Sequence, residues 1–428
     1  MKDILINPTV LTGELSVPSS KSVSHRALIA AALANNGSVV DALLDCDDTQ
    51  ATLGGLIALG YQVTGTIAFG RVVFDHKCDI AVQVPEIDCL ESGSTLRFLI
   101  PLALVHAAQV VFTGKGRLMQ RPLDPYFEIF KEQGIAYELE DGRLRLNGNL
   151  KAGIFRIPGN ISSQFITGLL FALPLLQGDS QIIIEGKFES IDYVKITLDV
   201  LKTYAIEAEF SGNRIIIKGN QQYRPCNFQV EGDWSAAAFW TVAGALGSGV
   251  LMHHMSNNSL QGDRAVLAIA AQAGAIVQSE KSGIMVKKGD LHAFDVDCAD
   301  IPDIVPVLSV LAAHCSGTSV MHHIARLRLK ESDRVQAVID NLAAFGINAY
   351  EDNGDLFVPG GKGDVCDRNV SVDSFADHRI AMAFSIMAAF SRSKTVIHAA
   401  QCIAKSYPDF YQDFNRLGGD AGELSLGQ

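Results

Sequence analysis

The chain has 428 residues, 48% of them hydrophobic and 19% charged, so it is globular and too long for one ordinary core; two domains are expected. A net charge of −12 excludes nucleic acid or a membrane surface as partner of the whole protein. The opening "MKDILINPTVLTG" has no signal-peptide pattern, the eight cysteines no C-x-x-C and the eleven histidines no H-E-x-x-H. The expectation is a cytoplasmic chain with reduced thiols and no metal site.

In chain order, an apolar–polar–apolar triplet occurs six times: Leu15-Ser16-Val17, Val82-Gln83-Val84, Phe155-Arg156-Ile157, Phe228-Gln229-Val230, Phe294-Asp295-Val296 and Val370-Ser371-Val372. Each reads as a strand leading to the cap of a helix rich in small residues: Ser20, Ser92, Ser162, Asp233, Asp303 and Asp377. Successive caps are 70 to 74 residues apart. A second helix stops 40 to 43 residues past each cap, at Gly60, Gly134, Ala205, Gly274, Gly346 and Gly418. Hairpin-like strands such as "RLRLNG", "RIIIKG" and "DLFVPGG" follow. The gap from triplet to cap runs 3, 8, 5, then 3, 7, 5, as if a three-unit half were used twice. The apolar run from Ala236 to Met252 reads as one buried helix.

The sixth unit is short, with 52 residues from Asp377 to Gln428, and the 19 residues before Ser20 would complete it. The N-terminal segment is therefore expected to add its strands to the last unit. The expected domains are 20–232 and 1–19 plus 233–428, with the backbone crossing twice. The fold class is α/β, a pseudo-sixfold repeat of βα units with three per domain.

Cations stand at helix starts, where each costs about 0.3–1 kcal/mol against the helix dipole. Lys21 and Arg26 open the first helix, Gly93 and Arg97 the second, Arg379 the last; Ser162, Ser163 and Gln164 offer donors at the third. Loops add Lys115, Arg117, Arg121, Arg328, Lys330, Arg334 and Lys405. Taken alone, "KESDR" is a solvated helix start with an i, i+3 pair between Glu331 and Arg334. Helix starts aimed at one region would make it attract anions, and the cations would then become favourable.

The segments "SVPSSKSVSHRALIAAALA", "ESGSTLR", "RLMQRP", "NISSQFITGLL", "EGDWSAAAFW", "IPDIVP", "RLKESDR", "ADHRIAMAF" and "AKSYPDF" resemble, in order and along the whole chain, the EPSP synthase family of enolpyruvyl transferases. The resemblance implies two globular domains, each of three pseudo-symmetric βα units. It implies transfer of the enolpyruvyl group of phosphoenolpyruvate to the 5-hydroxyl of shikimate 3-phosphate, releasing phosphate in the shikimate pathway to chorismate and aromatic amino acids. It also implies that no cofactor or metal takes part, and a monomer is expected.

By the same resemblance, Lys21, Ser22, Arg26, Ser162, Ser163, Gln164, Ser190, Tyr193, Asp303, Arg326 and Lys330 hold shikimate 3-phosphate. Lys21, Gly93, Arg121, Gln164, Arg334, Arg379 and Lys405 hold phosphoenolpyruvate. Asp303 corresponds to the base for the hydroxyl proton, and Glu331 or Lys21 to the acid at the methylene carbon. The sequence departs from the family pattern at Glu91, often Asn, at Phe98, commonly Pro, and at Arg326, where some members have Asn.

The charges are consistent with this assignment. The two substrates together carry roughly −5 to −6, against Lys21, Arg26, Arg121, Lys330, Arg334, Arg379 and Lys405, less Asp303 and Glu331. Residues from both halves take part, which predicts closure at hinges near 19–20 and 232–233. The rival acceptor is UDP-N-acetylglucosamine, whose enzyme carries a reactive cysteine in the loop matching "TGKGRLMQRP"; here no cysteine lies between Cys89 and Cys226. A non-catalytic anion-binding scaffold is the alternative of another class.

Overall fold

The computed structural model describes residues 2–34, 37–77, 84–361 and 369–424. They divide into two compact units, Met1–Pro18 with Gly232–Gln428, and Ser19–Glu231. Each unit has its own hydrophobic core of buried helices.

The described strands form six four-stranded sheets, three per unit, on one plan. The triplet strand lies parallel to the strand after the first helix. That strand pairs antiparallel with the last strand of the repeat, which pairs antiparallel with the strand after the second helix. Two strands are exchanged. Thr12–Ser16 lies beside Gly249–His253, while Asn227–Gln229 takes the corresponding place beside Ser38–Asp41. The exchange keeps every sheet within one unit although the chain passes between units twice. Of the N-terminal strands, only Ile4–Asn7 completes the last sheet, between Thr395–His398 and Asp420–Glu423. Thr12–Ser16 serves the fourth, which corrects the expectation that both join the last unit.

The described first strand of the second sheet is Glu86–Asp88, paired with Val111–Thr113; of the expected triplet, Val82 and Gln83 lie outside the described residues and Val84 is not in a strand. Pro85 and Ile87 are the inward residues here, in the places that Phe155 and Ile157 occupy in the third sheet. The triplet-to-cap gap becomes 5, as in the third and sixth repeats, and the apparent twofold doubling disappears. The Ala236–Met252 run is likewise two elements. A wholly buried helix, Trp234–Leu246, ends before the strand Gly249–His253.

Five of the six expected caps form. Their side chains accept from backbone N–H groups of Val23, Thr95, Gln164, Ala236 and Arg379. Asp303 does not cap its helix: it lies in a 3₁₀ turn, Pro302–Ile304, ahead of the helix Val305–His314. All six second-helix stops have a left-handed backbone, with φ 91° at Gly60 and φ 61° at Ala205, the one alanine among them.

In the unit built around residues 232–428, the strand after each first helix ends in histidine: His253, His322 and His398. His322 bridges Asp355 at 2.7 Å and Asp295 at 2.9 Å. The hydrogen bond to Asp355 leads in raising its pKa above 6.5. A raised histidine stabilises the fold below pH ~6.5, and that contribution is lost as pH rises through the folded value. The midpoint of urea unfolding, followed by tryptophan fluorescence, is expected to fall from pH 6 to pH 8 and to fall less in His322→Gln. An equal fall in both proteins would remove His322 as a source. Both tryptophans, Trp234 and Trp240, lie in this unit and report on it alone.

Candidate active site

In the unit Ser19–Glu231, Lys21 is the first residue of the helix Lys21–Ala34, and its Nζ pairs with Asp48 at 2.7 Å. Arg26, one turn on, is buried among neutral oxygens. It donates to the carbonyl of Ser22 at 2.7 Å, to the carbonyl of Tyr193 at 3.1 Å, and to the hydroxyls of Thr197 and Thr167. Its guanidinium lies 5.1 Å from the Phe98 ring centre and 6.0 Å from that of Tyr193. Burial pushes its pKa down to about 10, which still leaves it charged. Phe98, the departure from proline, is thus the floor under Arg26. A buried cation held only by neutral groups is costly unless an anion completes it.

A second set joins the helices Gly93–His106 and Ser163–Ala172. Gln164 accepts from Arg97 Nη1 at 2.8 Å and donates to Ser94 Oγ at 3.0 Å. Arg97 also donates to the carbonyl of Pro122, next to Arg121. A Cβ at Gly93 would lie 2.7 Å from Arg121 Nη1 and 2.9 Å from Arg97 Nη1, so two guanidinium groups converge where a side chain is missing. Ser162 is taken up in capping Gln164, and Ser163 beside it is buried. Ser190 is buried at φ 56°, a strained conformation for serine, just ahead of Tyr193. Glu91, another departure, lies against Gly116 in the Lys115–Arg117 loop.

The second unit gathers its candidates more tightly. Arg334 is 2% exposed and meets three carboxylates: Asp303 at 2.9 Å, Glu331 at 2.8 Å and Asp377 at 2.8 Å. The expected Glu331–Arg334 pair exists, but as part of a buried network and not on a solvated face. Asp303 also accepts from Lys330 at 3.2 Å and faces Arg379 at 3.6 Å. Burial leads in lowering the Lys330 pKa, and Asp303 opposes it. Arg326 is buried and donates to the carbonyl of Ala299, and its charge acts on Lys330. Lys405 donates to the carbonyl of Ala376, beside Asp377, at 3.3 Å.

In the first unit Arg26 thus meets Ser22 and Tyr193, and Arg97 and Arg121 converge at Gly93; in the second, Asp303, Lys330, Glu331, Arg334 and Arg379 come together, while Arg328 pairs elsewhere, with Asp333 and Glu351. The residues that sequence reasoning left out of the site are mostly the partners: Asp48, Thr167, Thr197 and Asp377. Asp377 was legible as a cap, but its second task, holding Arg334, depends on a residue 43 positions away. Among the described residues, no group of three His, Cys, Asp or Glu side chains could hold a metal ion. No described helix is long and apolar enough to cross a membrane.

Comparison with known proteins points one way. A family model described as EPSP synthase (3-phosphoshikimate 1-carboxyvinyltransferase) matches residues 6–414. Proteins named 3-phosphoshikimate 1-carboxyvinyltransferase from Clostridium kluyveri and Clostridium acetobutylicum are each 42% identical, with 100% of both chains covered. The solved EPSP synthase of Acinetobacter baumannii has a TM-score of 0.82 at 25% identity, over 99% of this chain and 100% of that one. The enolpyruvyl transferase NikO of Streptomyces tendae, at 16% identity and TM-score 0.77 over 99% of this chain and 98% of that one, shares the fold.

Proposed function

The chain belongs to the EPSP synthase family, and we propose that its two clusters divide the work of that family's reaction. The protein transfers the enolpyruvyl group of phosphoenolpyruvate to the 5-hydroxyl of shikimate 3-phosphate and releases phosphate. In the first step the hydroxyl oxygen bonds to C2 of phosphoenolpyruvate, the hydroxyl proton leaves, and a proton reaches the methylene carbon. In the second, phosphate departs and the new methyl group returns a proton.

The reading gives Asp303 the hydroxyl proton. The observation that carries it is the broken pattern: Asp303 alone of the six expected caps is released from capping, and three cations hold it instead. Neighbouring cations favour the charged form of a carboxyl group, the form that can accept a proton. When acidic substrates engage those cations, the carboxylate becomes a stronger base. Glu331, fixed by Arg334, serves the methylene carbon, with Lys21 as the other candidate donor. Lys330 and Arg326 hold shikimate 3-phosphate beside Asp303, and Lys21, Ser22, Arg26, Ser162, Ser163, Gln164, Ser190 and Tyr193 hold it from the other unit. Arg334, Arg379, Lys405, Gly93, Arg121, Gln164 and Lys21 hold phosphoenolpyruvate; arginine forks suit carboxylate and phosphate alike.

Phosphate release with each acceptor tests the assignment, comparing wild type with Asp303→Ala and Lys21→Ala. Turnover with UDP-N-acetylglucosamine but not with shikimate 3-phosphate would overturn it. Because the candidates belong to both units, the reading includes closure about the crossovers near 19–20 and 232–233, in a cytoplasmic monomer. Small-angle scattering should detect compaction when both substrates bind, and unchanged dimensions would count against closure.

Gly93→Ala isolates the phosphoenolpyruvate side. The added methyl would lie under 3 Å from Nη1 of both Arg121 and Arg97, and Arg97 is buried and bonded to Gln164 and Pro122, so a stability loss of about 1–3 kcal/mol is expected as well. Displacing a guanidinium should raise KM for phosphoenolpyruvate about tenfold, the equivalent of one weakened charged hydrogen bond. KM for shikimate 3-phosphate should change far less. Steady-state kinetics with each substrate varied in turn checks this.

A further inference from the structure

Behind the candidate site of the unit Ser19–Glu231 runs a row of buried side chains that the reaction as described does not use. His25 on the helix Lys21–Ala34, Thr52 on the helix Asp47–Ala58, and Thr95 and Ser92 at the start of the helix Gly93–His106 are all 0% exposed. His25 Nδ1 meets Thr52 Oγ1 at 2.7 Å, Thr52 Oγ1 meets Thr95 Oγ1 at 2.7 Å, and Thr95 Oγ1 donates to Ser92 Oγ at 2.8 Å. Ser92 is the cap directly ahead of Gly93 and also accepts from the Thr95 N–H at 3.1 Å. At the other end of the row the His25 ring stands edge-on to Phe98, with ring centres 6.2 Å apart and planes at 87°, and Phe98 is the floor under Arg26. The row therefore joins the support of Arg26 to the helix start that carries Gly93.

One atom sets the direction of the row. His25 Nε2 is buried and has no hydrogen bond among the described residues. A proton on Nε2 would bury an N–H without an acceptor, whereas a bare Nε2 leaves only a lone pair unused, the smaller loss. Protonating both nitrogens would add a buried charge to that same unpaired N–H. Burial, followed by the charges of Lys21 and Arg26, accordingly holds the His25 pKa well below 6.5. The single proton of the neutral ring is then on Nδ1 and is donated to Thr52. Thr52 has one hydroxyl proton to give, and Thr95 at 2.7 Å is a nearer acceptor than the Asp48 carbonyl at 3.4 Å. We propose that His25 is a positioning residue: with its proton on Nδ1 it orders the hydroxyls that fix Ser92, and with its ring it backs Phe98 under Arg26, so that the hold on both substrates depends on it. The proposal rests on the reading that Arg26 holds shikimate 3-phosphate and Gly93 phosphoenolpyruvate.

Kinetics of substitutions at the middle link and nuclear magnetic resonance of wild type test this together. Thr52→Val removes one hydroxyl at nearly constant shape and deprives His25 Nδ1 and Thr95 of their common partner. Well below its melting temperature, this variant should show KM for phosphoenolpyruvate raised about fivefold, the equivalent of one lost hydrogen bond, with KM for shikimate 3-phosphate and kcat changed by less than about twofold. Thr52→Ser keeps the hydroxyl and should return KM for phosphoenolpyruvate to the wild-type value. His25→Ala removes the ring as well and should raise KM for both substrates. In nitrogen-15 spectra of histidine-labelled wild type, His25, identified by its absence from His25→Ala, should carry its proton on Nδ1 at both pH 6 and pH 8. A proton on Nε2, or a ring that titrates between those values, would overturn the proposal. So would a Thr52→Val protein that melts at lower temperature but keeps the wild-type KM for phosphoenolpyruvate, the result of a merely structural row. Wild type that turns over neither acceptor would instead overturn the functional reading, so the two failures are distinguishable.

Discussion

Asp303→Ala is expected to lower kcat by about 10²–10⁴-fold, the range for loss of a positioned general base. The direction of KM makes the experiment decisive. Asp303 accepts from Lys330 and Arg334 and faces Arg379, so its removal frees three cations from an internal competitor. Phosphoenolpyruvate should then bind as well as in wild type or better, and the loss should fall on kcat alone. Arg379→Ala should do the reverse and raise KM for phosphoenolpyruvate. A loss below tenfold in Asp303→Ala, or a loss confined to KM, would take Asp303 out of the proton transfer and leave it a charge partner.

The second large effect is structural. Arg334→Ala would leave Asp303, Glu331 and Asp377 sharing a buried region without their common cation. Removing one partner of a buried ion pair costs about 3–5 kcal/mol, and this arginine serves three. Urea unfolding read by Trp234 and Trp240 should report that loss for their unit. Arg334→Lys should recover only part of it, because one ammonium cannot reproduce the divergent bonds from Nε, Nη1 and Nη2. Adding Asp377→Asn to Arg334→Ala should restore some stability, since an amide needs no counter-charge. If the double variant is less stable than the single one, the cost lies in packing and not in charge.

Helix starts and stops were the legible part of the fold because both are local. A serine or aspartate that accepts from its own helix, and a residue that takes a left-handed turn at the end, depend on neighbours a few positions away. The strand partners depend on distant residues. Nothing within Leu15-Ser16-Val17 says that it pairs beside Gly249–His253 and not beside Ser38–Asp41, and the exchange was invisible for that reason. The displaced second strand has a smaller cause: Val82-Gln83-Val84 alternates more cleanly than Pro85-Glu86-Ile87, although the latter is the pair-forming segment. At the site, a cation against the helix dipole was a readable signal for Lys21, Arg26 and Arg379.

The placing of Ile4–Asn7 between Thr395–His398 and Asp420–Glu423 also bears on how the molecule is made. Ser19–Glu231 is continuous and can collapse as soon as it leaves the ribosome. Residues 4–16 are synthesised before it, yet their partners come hundreds of positions later, so they wait as unpaired strand while the inner unit folds. Long separations slow such pairing. Biogenesis is therefore asymmetric: the interrupted unit matures last, and the interval before its edge is sealed is when a chaperone would matter most.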